Sequence, residues 1–152
     1  MLVDANVLLF AEDESSPHHS ACVDWLTRAL NGPTRIGLAW PSLLAFVRIR
    51  THPRAYVQPL SPAEAWSRVL DWLDAPAAWV PTPTAGHAEI LGTLLHRYQV
   101  SGNAVPDAHL AALAIEHGVG VCSTDTDFAR FTELRWLNPL AGEATRRERR
   151  RS

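Results

Sequence analysis

With 152 residues, 47% of them hydrophobic and 20% charged, the chain has material for one domain with a real core and too little for a second folding unit. The formal net charge of −2 hides an uneven distribution, because positions 146–151 read Arg-Arg-Glu-Arg-Arg-Arg, a net +4 that leaves the rest of the chain at −6. An acidic body with a basic tail argues against nucleic-acid binding by bulk attraction, so any such contact has to be local.

Met1 to Asp4 reads as a short buried strand, and the apolar run Val7-Leu8-Leu9-Phe10 begins a helical segment after Asn6. From His19 to Leu30 the residues Cys22, Val23, Trp25, Leu26, Ala29 and Leu30 recur at helical spacing until Asn31-Gly32-Pro33 ends the element. Ile36-Gly37-Leu38 reads as a second strand, and Pro41 to Ile49 as a helix that Thr51-His52-Pro53 breaks. Ser61-Pro62-Ala63-Glu64 is a capping box with Pro at the first helical position, which predicts a helix from Pro62 to about Ala75. A third strand, Ala78 to Val80, precedes a helix from about Ala85 to Tyr98. Then come a helix from Pro106 to His117, a strand Val119 to Cys122, a turn at Asp125 to Asp127 and a short last strand, Leu134 to Leu137. Strands alternating with helices imply an α/β fold with a mostly parallel sheet covered on both faces. Cys22 and Cys122 follow no CxxC pattern and are expected as buried thiols. No stretch approaches eighteen apolar residues, and Met1-Leu2-Val3 runs straight into Asp4. The expectation is a cytoplasmic protein without a membrane partner.

Three aspartates follow apolar segments: Asp4 after the first strand, Asp107 in the first turn of its helix, and Asp125 after the fourth strand. In such sheets, ligands bind outside the carboxyl ends of the strands. Singly, each has a structural reading as a capping or first-turn residue. Together at one edge, each pair of carboxylates about 5 Å apart repels by on the order of 3 kcal/mol at an effective dielectric of about 20, which a helix N-terminus does not offset. A divalent cation does, and an all-oxygen set suits Mg²⁺ or Mn²⁺. The seven histidines show no paired spacing on one helix face, so a zinc enzyme is not indicated.

These segments resemble a known family, the PIN-domain ribonucleases, and within it the VapC-type toxins of toxin–antitoxin modules. Asp4-Ala5-Asn6 looks like the family's opening Asp-x-Asn. Asp107-Ala108-His109-Leu110-Ala111-Ala112-Leu113-Ala114 resembles its central Asp helix, and Ser123-Thr124-Asp125-Thr126-Asp127-Phe128 is similar to its Thr-x-Asp-x-Asp-Phe signature. The resemblance covers residues 1–140. It implies a PIN-like three-layer α/β/α domain over 1–141, with 142–152 a disordered Arg-rich tail. The implied activity is that of a metal-dependent endoribonuclease acting as the toxin of a type II module. Asp4, Asp107 and Asp125 are the expected catalytic and metal-holding residues, Asp127 an auxiliary metal ligand, and Asn6 and Thr124 the residues that orient the ligands through hydrogen bonds.

One departure stands out. The family commonly places a Glu early in the helix that corresponds to Pro41 to Ile49, near Leu43 to Ala45, and this segment has no acid. Its loss weakens a second metal position more than the first, and it opens an alternative: a degenerate PIN scaffold that binds antitoxin or RNA without efficient cleavage. An aspartyl-phosphate enzyme is disfavoured, because those families use a lysine and all 14 basic residues here are Arg. The 6 Trp are expected mostly in the core, with the remainder lining a groove for the helix of a VapB-like antitoxin. The resemblance further implies a homodimer. Arg48, Arg50 and Arg54 are expected near the active edge, either contacting phosphates of the RNA substrate or solvated.

Overall fold

The computed structural model of the protein describes residues 1–141; the Arg-rich tail expected at 142–152 lies outside the described residues. Five short strands, β1 (Leu2–Val3), β2 (Ile36–Gly37), β3 (Ala78–Trp79), β4 (Val121–Cys122) and β5 (Trp136–Leu137), form one sheet in the order β3-β2-β1-β4-β5. All four pairings are parallel. Between the strands run α1 (Ala5–Glu12), α2 (His19–Leu30), α3 (Trp40–Arg50), α4 (Pro62–Leu73), α5 (His87–Arg97) and α6 (Val105–Glu116).

Period-two alternation in the strands decides which layer each residue joins. Val3 and Cys122 point to the face covered by α1, α2, α3 and α4, where Val7, Leu8, Cys22, Leu26, Leu43, Phe46 and Val69 are buried. Leu2 and Val121 point the other way, into a second core with Leu94, Leu110, Leu113, Phe128 and Phe131. The result is a three-layer α/β/α sandwich. Each fully buried Leu or Phe stabilises it by about 1.5–3 kcal/mol relative to exposure.

Local signals set the helix ends. In α4 the Ser61 hydroxyl accepts the Glu64 N–H at 3.1 Å while the Glu64 carboxylate accepts the Ser61 N–H at 3.1 Å. The chain leaves α6 through Gly118 at φ +66°, a conformation that favours glycine, and the Val119 N–H then bonds the Ala114 carbonyl at 2.9 Å. Helices within one layer are also tied by side chains far apart in sequence. His87 of α5 lies 3.0 Å from Nδ1 of His109 and 3.1 Å from Glu116, both on α6.

Candidate active site

The parallel register gathers chain ends at one edge. Leu2 lies beside Val121 and Val3 beside Cys122, so the residues that follow, Asp4 and Ser123, leave the sheet side by side. The Asp4 N–H closes the pairing on the Cys122 carbonyl at 3.0 Å. Asp4 then caps α1, its Oδ1 accepting the Ala5 N–H at 2.8 Å.

A tight polar knot holds the other carboxylate oxygen. The Ser123 hydroxyl donates to Asp4 Oδ2 at 2.7 Å and accepts the Asp125 N–H at 3.0 Å. Asn6 Nδ2 donates to Asp4 Oδ2 and to the Ser123 hydroxyl, both at 3.1 Å, while its Oδ1 accepts the Thr124 N–H at 3.2 Å. The Trp136 indole donates to the Ser123 carbonyl at 3.0 Å and so anchors this turn to β5. Asp125 starts a short 3-10 turn over Thr126–Arg130, its Oδ1 accepting the Asp127 N–H at 2.9 Å. Arg130 leans back over Asp127 at 3.5 Å.

Asp107, third residue of α6, faces the same edge without a hydrogen bond or ion pair among the described residues. Burial pushes its carboxyl up to about 6, helped by the charges of Asp4, Asp125 and Asp127 and opposed by Arg130. Asp4 is also raised by burial, which outweighs the hydrogen bonds from Ser123, Ala5 and Asn6; the Asp125 charge adds to the rise. Four carboxylates therefore feel one another at this edge.

Sequence reasoning placed Asp4, Asn6, Asp107, Asp125 and Asp127 in one neighbourhood, and the structure brings them together there. Thr124 belongs through its main-chain N–H, with no side-chain bond among those found. Ser123 was not foreseen as a functional residue; its signal was a small polar side chain directly after an apolar strand, and it is fully buried. No acid takes the place of the family Glu in α3: Leu43 is buried in the core and Leu44 points to solvent. Arg50 is not at phosphate's disposal, since its guanidinium is buried against Glu12, donates to the Gln58 carbonyl at 2.9 Å and covers the Tyr56 ring. Arg48 and Arg54 are exposed.

Among the described residues, no three His, Cys, Asp or Glu side chains stand as a ready-made metal cage. The donor chemistry nonetheless fits a hard cation: all the donors are carboxylate oxygens, the charges of Asp4, Asp125 and Asp127 raise the proton affinity of Asp107, and Asp107 is uncommitted. A hydrated Mg²⁺, which keeps several waters and takes one or two carboxylates, matches such a spread set better than an ion needing a full protein shell.

Comparison with known proteins decides the family. The PIN domain model matches residues 1–134. The chain belongs to the PIN-domain family. Among similar PIN proteins, Ribonuclease VapC37 of Mycobacterium tuberculosis is 47% identical over 140 residues, covering 92% of this chain and 97% of that relative. Ribonuclease VapC33 of the same organism is 38% identical over 140 residues, covering 92% and 98%. Among solved PIN structures, VapBC2 from Rickettsia felis bound to a promoter DNA fragment matches with a TM-score of 0.66 at 15% identity, over 90% of this chain and 96% of that one. VapBC-1 from nontypeable Haemophilus influenzae matches with a TM-score of 0.63 at 12% identity, over 91% and 96%. These last two establish the likeness of the PIN fold.

Proposed function

We propose that this PIN protein is a VapC-type ribonuclease, the toxin of a type II toxin–antitoxin module, cutting RNA endonucleolytically with Mg²⁺ or Mn²⁺. The observation that carries the reading is the meeting of four carboxylates at one sheet edge in a chain 47% identical, along 92% of its length, to a protein named as a ribonuclease. The domain is residues 1–141, and no helix of the described residues is long and apolar enough to cross a membrane. A VapB-like antitoxin in the cytoplasm is the partner this reading assigns.

Asp4, Asp107 and Asp125 would hold the ion directly or through water, with Asp127 assisting. When bound, the ion supplies a water of lowered pKa and neutralises charge on the phosphate. The chain's own residues do the rest. Ser123 and Asn6 fix the Asp4 carboxylate in one rotamer, and the Asn6 bond to the Thr124 N–H fixes the distance between the turns after β1 and β4. One of these carboxylates would take the proton of the attacking water.

The acid-free start of α3 favours a second reading, a scaffold that binds antitoxin or RNA without efficient cleavage. One experiment separates the two: purified protein free of antitoxin is incubated with total RNA in Mg²⁺, Mn²⁺ or EDTA, beside Asp4→Asn. Cleavage with either metal, lost in EDTA and in the variant, is the expected result. RNA left intact with both metals would leave the scaffold reading standing, and cleavage by Asp4→Asn at the full rate would remove the site assignment.

A further inference from the structure

The acidic edge carries a surplus of negative charge that RNA, itself an anion, has to approach. Four ionised carboxylates outweigh a single divalent ion, and the body of the chain is acidic as well. A phosphate held at this edge therefore calls for a cation placed locally. Arg130, the last residue of the 3-10 turn that Asp125 starts, stands there. Its charge reaches Asp107 and opposes the rise of that carboxyl, so the guanidinium lies within the field of the site.

Two contacts aim this side chain and leave its outer edge open. Nε donates to the Asp127 carbonyl at 3.2 Å, and Nη2 lies 3.5 Å from Asp127 Oδ2. Nη1 makes no hydrogen bond among the described residues. An ion pair of that length, to a carboxylate whose side chain is 65% exposed, is weak, so Asp127 steers the guanidinium without consuming it. The guanidinium carbon is 5.9 Å from the centroid of the Phe131 ring. Phe131 is buried and packs edge-on against Phe128 and Tyr98, which anchors the turn and holds Arg130 at the edge. Arg50 and Arg97, by contrast, are engaged by Glu12 and Glu133.

We propose that Arg130 holds a backbone phosphate of the RNA, next to the one cut, through the Nη groups that Asp127 leaves free. The planar guanidinium fork suits a phosphate in two-point contact, and such a contact reads the backbone and not the bases. Asp127 is the exposed member of the acidic set, so its arginine faces the neighbouring phosphate rather than the reacting one. That neighbour keeps its charge through the reaction. The contact therefore acts on binding and hardly on the chemical step. The inference rests on the ribonuclease reading and adds to it a contact with the substrate.

Initial rates on one RNA oligonucleotide, beside its binding to the Asp4→Asn protein in Mg²⁺, test it. Arg130→Ala is expected to raise KM about tenfold, and Kd in the Asp4→Asn background equally, with kcat within about threefold of the wild type. The salt dependence of binding falls by about one released ion, which a merely structural role would not produce. Arg130→Lys, which keeps the charge and loses the fork, recovers part of the loss. The Mg²⁺ concentration giving half the maximal rate does not rise. Arg28→Ala is the control, because Arg28 lies with Met1 and Ile36 at the amino ends of the strands, and its loss leaves KM and Kd as they were. Unchanged KM and Kd in Arg130→Ala, an equal loss in Arg28→Ala, or a loss that extra Mg²⁺ repairs would each overturn the proposal. A wild type that leaves the RNA intact removes the ribonuclease reading instead, and the Kd comparison then decides the Arg130 contact by itself.

Discussion

Ser123 ties the acidic edge together alongside Asn6, since its hydroxyl touches Asp4, Asn6 and the main chain of Asp125. Ser123→Ala is expected to lower RNA cleavage about 10- to 100-fold, the usual cost of losing a group that orients a ligand, with the fold intact. Thr124→Val, whose hydroxyl makes no bond here, should cut at nearly the wild-type rate. Equal losses in the two variants, read from initial rates on one RNA, would contradict this division of labour. The aspartates were legible because each closes an apolar run, which strand-end logic picks out. Ser123 was not, because a serine between Cys122 and Thr124 reads equally well as one more turn residue, and only the register of β1 against β4 puts its hydroxyl on Asp4.

At the scale of elements, all five strands and six helices were legible in sequence order, because hydrophobic periodicity, Pro at helix starts and Gly after helix ends agree with one another. Strand extent was not. The reading Val119 to Cys122 shrinks to Val121–Cys122, since pairing requires a neighbour of matching length and β5 offers only Trp136 and Leu137. The Trp expectation holds in the main: Trp25, Trp72, Trp79 and Trp136 are partly buried and packed against the two cores, while Trp40 and Trp66 are exposed. Periodicity reports an apolar stripe, and it cannot tell a stripe that meets the core from one that overhangs it. Gly120 shows a close approach that sequence gives no hint of. A Cβ there would lie 2.6 Å from the Arg135 carbonyl, the same oxygen that accepts the Val121 N–H at 2.9 Å to join β5 to β4. Gly120→Ala should therefore destabilise by about 1–3 kcal/mol, the range for overpacking, and lower Tm by several degrees. An unchanged melting curve would show that the strand shifts without cost.

For the whole molecule, the acidic edge links folding to pH. Asp107 has a folded pKa of about 6 against an ordinary 3.8, and Asp4 is raised as well. Between those two values the folded protein binds more protons than the unfolded chain, so this contribution to stability is full below about pH 4 and is lost as pH rises through 6. In EDTA, Tm should fall between pH 5 and pH 7.5 more steeply for the wild type than for Asp107→Asn, which has no carboxylate to ionise there. Mg²⁺ at pH 7.5 should recover part of the loss in the wild type, because a bound cation relieves the same repulsion that a proton does. Parallel melting profiles for the two proteins in EDTA would refute the coupling.

The Asp4 and Ser123 side chains that clasp one another stand 119 positions apart along the chain. During synthesis the first is made early, and its bond to the second waits for most of the protein to follow. On the proposed ribonuclease reading, a growing polypeptide lacks the assembled acidic edge until the turn after β4 has emerged and docked. Competence would then come late in synthesis, and an antitoxin would be needed only from that point on.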